Sequence, residues 1–224
     1  MEYYQGNEKN MNPVYAAAAL LGTAAVDVFL FIYQTIFVFH TMNLHYRLIT
    51  MLAPAAVMFL LAALVYKNRR DYLIVAGFLL LAFFYTLNVG KMMPYNLSEF
   101  FANFLYRLIE LLRAVFWIMI TVYGTVFFLD AGGNAAKRKC YDLWYVPVVV
   151  MVVNRVFWLI TVIIRVGSVI FGRHVFSSLR ILVQMHILPR IIGSVVYLIL
   201  SVALCWWITH PYTKINADKV KKNF

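Results

Sequence analysis

Residues 143–165, LWYVPVVVMVVNRVFWLITVIIR, form an apolar stretch long enough to cross a bilayer, yet Asn154 and Arg155 stand at its midpoint. A guanidinium at the centre of a lipid-facing helix costs about 2.5–3.5 kcal/mol on insertion scales. Arg155 must therefore face protein, a partner charge or water, and the rest of the fold has to supply that environment.

The remainder of the chain has the same character. Hydrophobic residues make up 64% of the 224 residues and charged residues 13%, against roughly 45–50% and 25% in an ordinary soluble domain. A water-soluble core could not hide so much apolar surface. The expected fold is all-α: a polytopic integral membrane protein built as a bundle of six transmembrane helices, with two amphipathic interfacial segments. Residues 1–13 form a short N-terminus, 14–210 the membrane domain and 211–224 a basic tail. The expected spans are 14–39, 48–66, 72–89, 109–129, 143–165 and 191–208.

Each span carries its own signature. The first opens with small residues, Ala16 to Ala19, Gly22, Ala24 and Ala25, a composition that lets helices approach closely in lipid. Because Glu2, Glu8 and Lys9 precede it and its apolar run is long, it reads as a retained helix and not as a signal peptide. In the second, Pro54 removes one backbone donor and is expected to kink the helix. Residues 98–108 are amphipathic and read as an interfacial helix leading into the fourth span, with a polar stripe lining a cavity as the alternative. Residues 130–142 read as a basic loop. Residues 166–189 carry Arg173, Ser177, Arg180 and Gln184 along one stripe, which suits an interfacial or re-entrant segment.

Net charge is +11. The bases lie in separate clusters beside apolar spans, which excludes a nucleic-acid groove and points to anionic lipid headgroups. With six spans both termini share one side. That side holds 11 Lys and Arg (Lys9, three in 67–70, three in 137–139 and four in the tail), and the other holds 8. The positive-inside bias then makes both termini cytoplasmic and the location the plasma membrane.

Two groups of polar residues are candidates for function. Asp27 lies 13 residues into the first span and Arg155 lies 12 residues into the fifth, so the two should sit at similar depth. A mutual ion pair completed by Asn154 or Gln34 is the economical arrangement, either as a structural clamp or as part of a substrate or ion path. The second group, Arg107, Glu110, Arg113 and Arg165, forms an outer charged cluster in which Glu110 is three residues from both Arg107 and Arg113.

Catalytic signatures are lacking: there is no G-x-S-x-G, H-E-x-x-H or P-loop. No short His or Cys motif implies a metal, no motif implies a cofactor, and the two cysteines, Cys140 and Cys205, are not expected to pair. The leading expectation is a permease, or a membrane subunit of a transporter, for a small solute that is anionic or amphipathic. A non-catalytic accessory or scaffold protein is the alternative. A partner membrane subunit or a second copy of the chain fits either reading.

Overall fold

The computed structural model describes residues 13–37, 51–67, 71–90, 97–172 and 187–209. Among them all regular structure is helical: α1 (Pro13–Phe37), α2 (Ala53–Tyr66), α3 (Asp71–Gly90), α4 (Leu97–Phe128), α5 (Gly133–Asp142), α6 (Val146–Gly172) and α7 (Ile187–Thr209). Four helical stretches are long and apolar enough to cross a membrane, namely Pro13–Tyr33, Arg107–Phe128, Gly133–Ile163 and Ile191–Thr209. Two apolar helices, Ala53–Tyr66 and Asp71–Leu87, are shorter.

Six of these helices pack in a closed order, α1 on α2, α2 on α3, α3 on α4, α4 on α6, α6 on α7 and α7 back on α1, and α4 also touches α7 across the middle. Neighbours run in opposite directions. Ile109 and Tyr123 of α4 reach Asn154 on α6 and Leu143 just before it, in reversed order. Trp144, just before α6, meets Trp206 of α7, whereas Arg155 on α6 meets Ser194 of α7.

Large apolar side chains cover the outside of the helices as well as the inside. On α1 the inward stripe is small, with Ala16, Ala17, Ala19, Leu20 and Ala24 buried, while Val14, Tyr15, Leu21, Phe29 and Ile32 are exposed. On α3 the inward residues are Ile74, Phe78, Leu81 and Tyr85, and Leu79, Leu80 and Phe83 face out. So continuous a coat of large apolar side chains is soluble only when lipid covers it. This is the outer surface of a membrane protein.

Small residues set how closely the helices approach. A Cβ added at Gly77 of α3 would collide with the Leu61 side chain of α2, and one at Gly193 of α7 would lie 3.1 Å from Val26 Cγ1 of α1.

Pro54 is the second residue of α2, and residues 51–52 just before it are π-helical. Two local expectations change. The stretch 130–142 is not simply a loop. Asp130, Gly132 and Gly133 all have positive φ and reverse the chain, after which residues 133–142 wind into the exposed helix α5, none of whose residues is buried. Finally, α6 continues without interruption to Gly172, so residues 166–172 extend a helix. Residues 173–186 lie outside the described residues.

α4 is a single helix of 32 residues, about 48 Å at 1.5 Å per residue. Its amphipathic first part runs straight into the apolar second part. Glu110 on this helix is buried within the protein.

Candidate functional site

Polar side chains from four helices converge on one residue of a fifth, Tyr197 of α7. Its hydroxyl donates to Asp27 Oδ2 of α1 at 2.7 Å, and its oxygen lies 3.1 Å from the hydroxyl of Tyr85 on α3. A phenol has a single proton to give. Because Tyr197 gives its own to Asp27, Tyr85 must donate to Tyr197, and both hydroxyl protons point along one chain toward the carboxylate.

Two guanidinium groups pack on these rings. The Arg155 guanidinium carbon of α6 lies 4.6 Å from the Tyr197 ring centre. Arg113 of α4 lies 5.2 Å from the Tyr197 ring and 5.3 Å from the Tyr85 ring. These distances fall within cation–π range, and in a desolvated setting such a contact is worth about 2 kcal/mol. Trp117, one turn further along α4, stacks parallel to Tyr85 with ring centres 6.3 Å apart and forms the apolar floor of the cluster.

The two arginines differ in their anionic partners. Arg113 Nη1 contacts Glu110 Oε1 at 3.4 Å. Among the described residues Arg155 has no carboxylate partner of its own: Nη1 reaches Ser194 Oγ at 3.5 Å and Nη2 reaches Met151 Sδ at 3.7 Å. Sulfur is a weak acceptor. Arg155 Nε is buried and makes no hydrogen bond to any described residue. Asp27, Arg113 and Arg155 are each half-buried, whereas Tyr85, Trp117 and Tyr197 are buried.

Asp27 and Arg155 thus meet at one site, but not as a direct ion pair. The Tyr197 ring lies between them, bound to one by its hydroxyl and to the other by its face. Asn154 is turned toward α4, where its Nδ2 donates to the Ile109 carbonyl, and its Oδ1 is buried without a hydrogen bond among the described residues. Arg113, read from the sequence as part of an outer cluster with Glu110, packs on the tyrosine that also meets Asp27 and Arg155 and holds Glu110 beside it, which makes one site of two. Arg107 is half-buried on α4, with its Nε buried and unbonded among the described residues. Gln34 and Arg165 lie on α1 and α6, and their side chains are outside the described set.

Reasoning from charge alone passed over the residues at the centre: Tyr85, Trp117, Ser194 and Tyr197. One signal was available. Tyrosine in membrane helices concentrates at the two interfaces, and Tyr197 sits in the middle of its apolar run, so its hydroxyl needs a partner inside the bundle. Tyr85 lies near a helix end and carries no such flag.

The cluster holds two cations, two carboxylates, two phenols and no nucleophile with an adjacent base. Groups of these kinds are chemically able to hold an ion or exchange a proton. Among the described residues no three His, Cys, Asp or Glu side chains gather as a metal site would require. Comparison with protein-family models, curated proteins and solved structures found no match to this chain.

Proposed function

We propose that the chain is a six-span permease, or the membrane subunit of a transporter, for a small anionic or amphipathic solute, and that its path runs past Asp27, Arg113 and Arg155. The observation that carries this reading is the convergence of three half-buried charged side chains on one tyrosine in the interior of a lipid-coated bundle. Intramembrane charges are costly, and they ordinarily mark ion or substrate routes.

Six spans are favoured because α2 and α3 complete the ring between α1 and α4 and expose Phe59, Leu60, Leu79 and Phe83 outward as the longer helices do. Charge distribution favours cytoplasmic termini in a plasma membrane, with α5 and its Lys137, Arg138 and Lys139 lying against anionic lipid. Membrane-impermeant thiol labelling of Cys140 in intact cells, in a Cys205→Ala variant, tests the orientation. Strong labelling from outside reverses it.

Transport itself is tested in proteoliposomes loaded with buffer and offered radiolabelled benzoate and other small carboxylates. The expected result is protein-dependent uptake that Arg155→Gln abolishes. Uptake indifferent to Arg155 removes the site from the path.

A scaffold is the second reading, and one observation favours it: the cluster contains as many guanidinium groups as carboxylates, so it could serve as a neutral clamp. A clamp predicts no solute uptake by the wild-type protein.

A further inference from the structure

Resting on the permease reading, we propose that Arg155 receives the carboxylate of the solute and that Asp27 takes up one proton with it, the two events being coupled through Tyr197. The solute class that follows is a small monocarboxylate with an apolar body, carried together with a proton.

The argument begins with charge balance. Glu110 and Arg113 are in contact and neutralise one another. Asp27 and Arg155 remain, balanced in sum but separated by a ring. An ionised Asp27 only accepts, so in that state both hydroxyl protons of the Tyr85–Tyr197 chain are directed at it. In that state the cluster is neutral, and adding a solute carboxylate would leave it with one excess negative charge in a low-dielectric interior. Protonation of Asp27 removes its charge and leaves the site positive by one. A carboxylate arriving at Arg155 then restores neutrality. Proton and anion therefore bind better together than apart, and linkage requires each to strengthen the other equally.

Arg155 has the geometry for the anion. Its guanidinium offers a planar fork that matches a carboxylate with two hydrogen bonds, and its present contacts are two long ones, to Ser194 Oγ and Met151 Sδ. The Tyr197 face lies 4.6 Å from the guanidinium carbon, so an apolar or aromatic body attached to that carboxylate would lie against a ring. Arg113, held by Glu110, is the less available of the two.

Every element packed around Asp27 is accounted for. α3 presents Tyr85, α4 presents Glu110 and Arg113, α6 presents Arg155, and α7 presents Ser194 and Tyr197. The buried face of α2, from Pro54 to Val65, has no titratable side chain. Asp27 and Glu110 are thus the only carboxylates among these described groups, and Glu110 is already paired with a guanidinium.

The chemistry is reversible and leaves no covalent product. A water-derived proton goes onto one Asp27 carboxylate oxygen, which can then donate to Tyr197, and the chain of hydroxyl protons turns round. Release of the anion on the other side leaves Asp27 free to return its proton there.

The experiment is isothermal titration of benzoate into the full-length protein in detergent, run in buffers of differing ionisation enthalpy so that proton uptake is measured directly. From about pH 8 down to about pH 5, a range above and around ordinary carboxylate titration, benzoate affinity should rise, approaching the limit of about tenfold per pH unit set by one coupled proton. Uptake should approach one proton per benzoate bound. Asp27→Asn, a permanent mimic of the protonated state, should bind benzoate with pH-independent affinity and no proton uptake; Arg155→Gln should lose binding altogether. Wild-type binding without proton uptake overturns the coupling and leaves the permease reading standing. Wild-type protein that binds no benzoate at about pH 5 overturns the site. Uptake of benzoate into proteoliposomes that survives Arg155→Gln overturns both the site and the path. The wild-type proton measurement decides the coupling even if a variant fails to fold.

Discussion

One end of the bundle is packed as a dry core and the other is built around charge, although the same helices supply both. Toward the α2–α3 turn, Ala16, Leu20 and Ala24 of α1, Met58, Leu61 and Val65 of α2, Ile74 and Phe78 of α3, Phe116, Trp117 and Ile120 of α4 and Leu200, Leu204 and Ile208 of α7 are all buried. The threonines Thr23, Thr121 and Thr209 there each donate to the carbonyl four residues earlier. Beyond Asp27 on α1 the described side chains are half-buried or exposed. Here the polar side chains reach across helices, α7 to α1, α3 to α7 and α6 to α7. A membrane bundle has no hydrophobic effect pulling its helices together, so close apolar packing holds one half. Polar side chains in the other half hold the helices through interactions that a ligand or a proton can rearrange.

The division predicts that the largest loss of stability comes from the dry half. Trp117 is fully buried and in contact with Phe78, Tyr85 and Phe116. Trp117→Ala should cost about 3–5 kcal/mol, as large-to-small changes of aromatic core residues do, read as a shift in unfolding in mixed micelles. A loss no greater than that of an exposed change such as Leu79→Ala would mean that the two halves are not differently packed.

An intermediate effect is expected at the junction. Tyr197→Phe keeps the ring under Arg155 and Arg113 but removes the hydroxyl that satisfies both Asp27 and Tyr85. Leaving buried polar groups unpaired costs about 1–3 kcal/mol. The same change should uncouple proton from anion while sparing anion affinity, whereas Trp117→Ala should lower stability with no specific effect on coupling. If the two variants behave alike, the contrast between the halves fails.

Much of this was legible in the sequence, and the reason is physical. In an apolar span each charged residue is conspicuous, and counting from the span ends gives its depth at 1.5 Å per residue. That count puts Asp27 and Arg155 at similar depth. What counting cannot supply is azimuth, because the order of helices round the ring depends on packing between distant segments. Because α7 packs on both α1 and α6, Tyr197 comes between the two charges, and no local pattern in either helix announces it. The polar stripe of α4 shows the same limit. Its spacing identifies a polar face but does not decide between lipid headgroups and a protein interior, and burial of Glu110 against the rest of the bundle comes from helices remote in sequence.

The smallest effect should be the coupling between Asp27 and Arg155 themselves, and it tests the ring between them. In direct contact, a buried pair broken from one side typically costs about 3–5 kcal/mol, and the double change recovers much of that loss. With Tyr197 interposed, each charge is stabilised mainly by the tyrosine and only secondarily by the other charge. The double-mutant cycle of Asp27→Asn and Arg155→Gln should therefore give a favourable coupling of about 1 kcal/mol, in the lower part of the range for residues sharing a network. The contacting pair Glu110 and Arg113, neutralised as Glu110→Gln and Arg113→Gln, should give a larger one, because there no group stands between the charges. Equal couplings in the two cycles would show that Asp27 and Arg155 close on one another as an ion pair. Strict additivity for Asp27 and Arg155 would show that Tyr197 screens them completely, and a proton on one could not then be felt at the other.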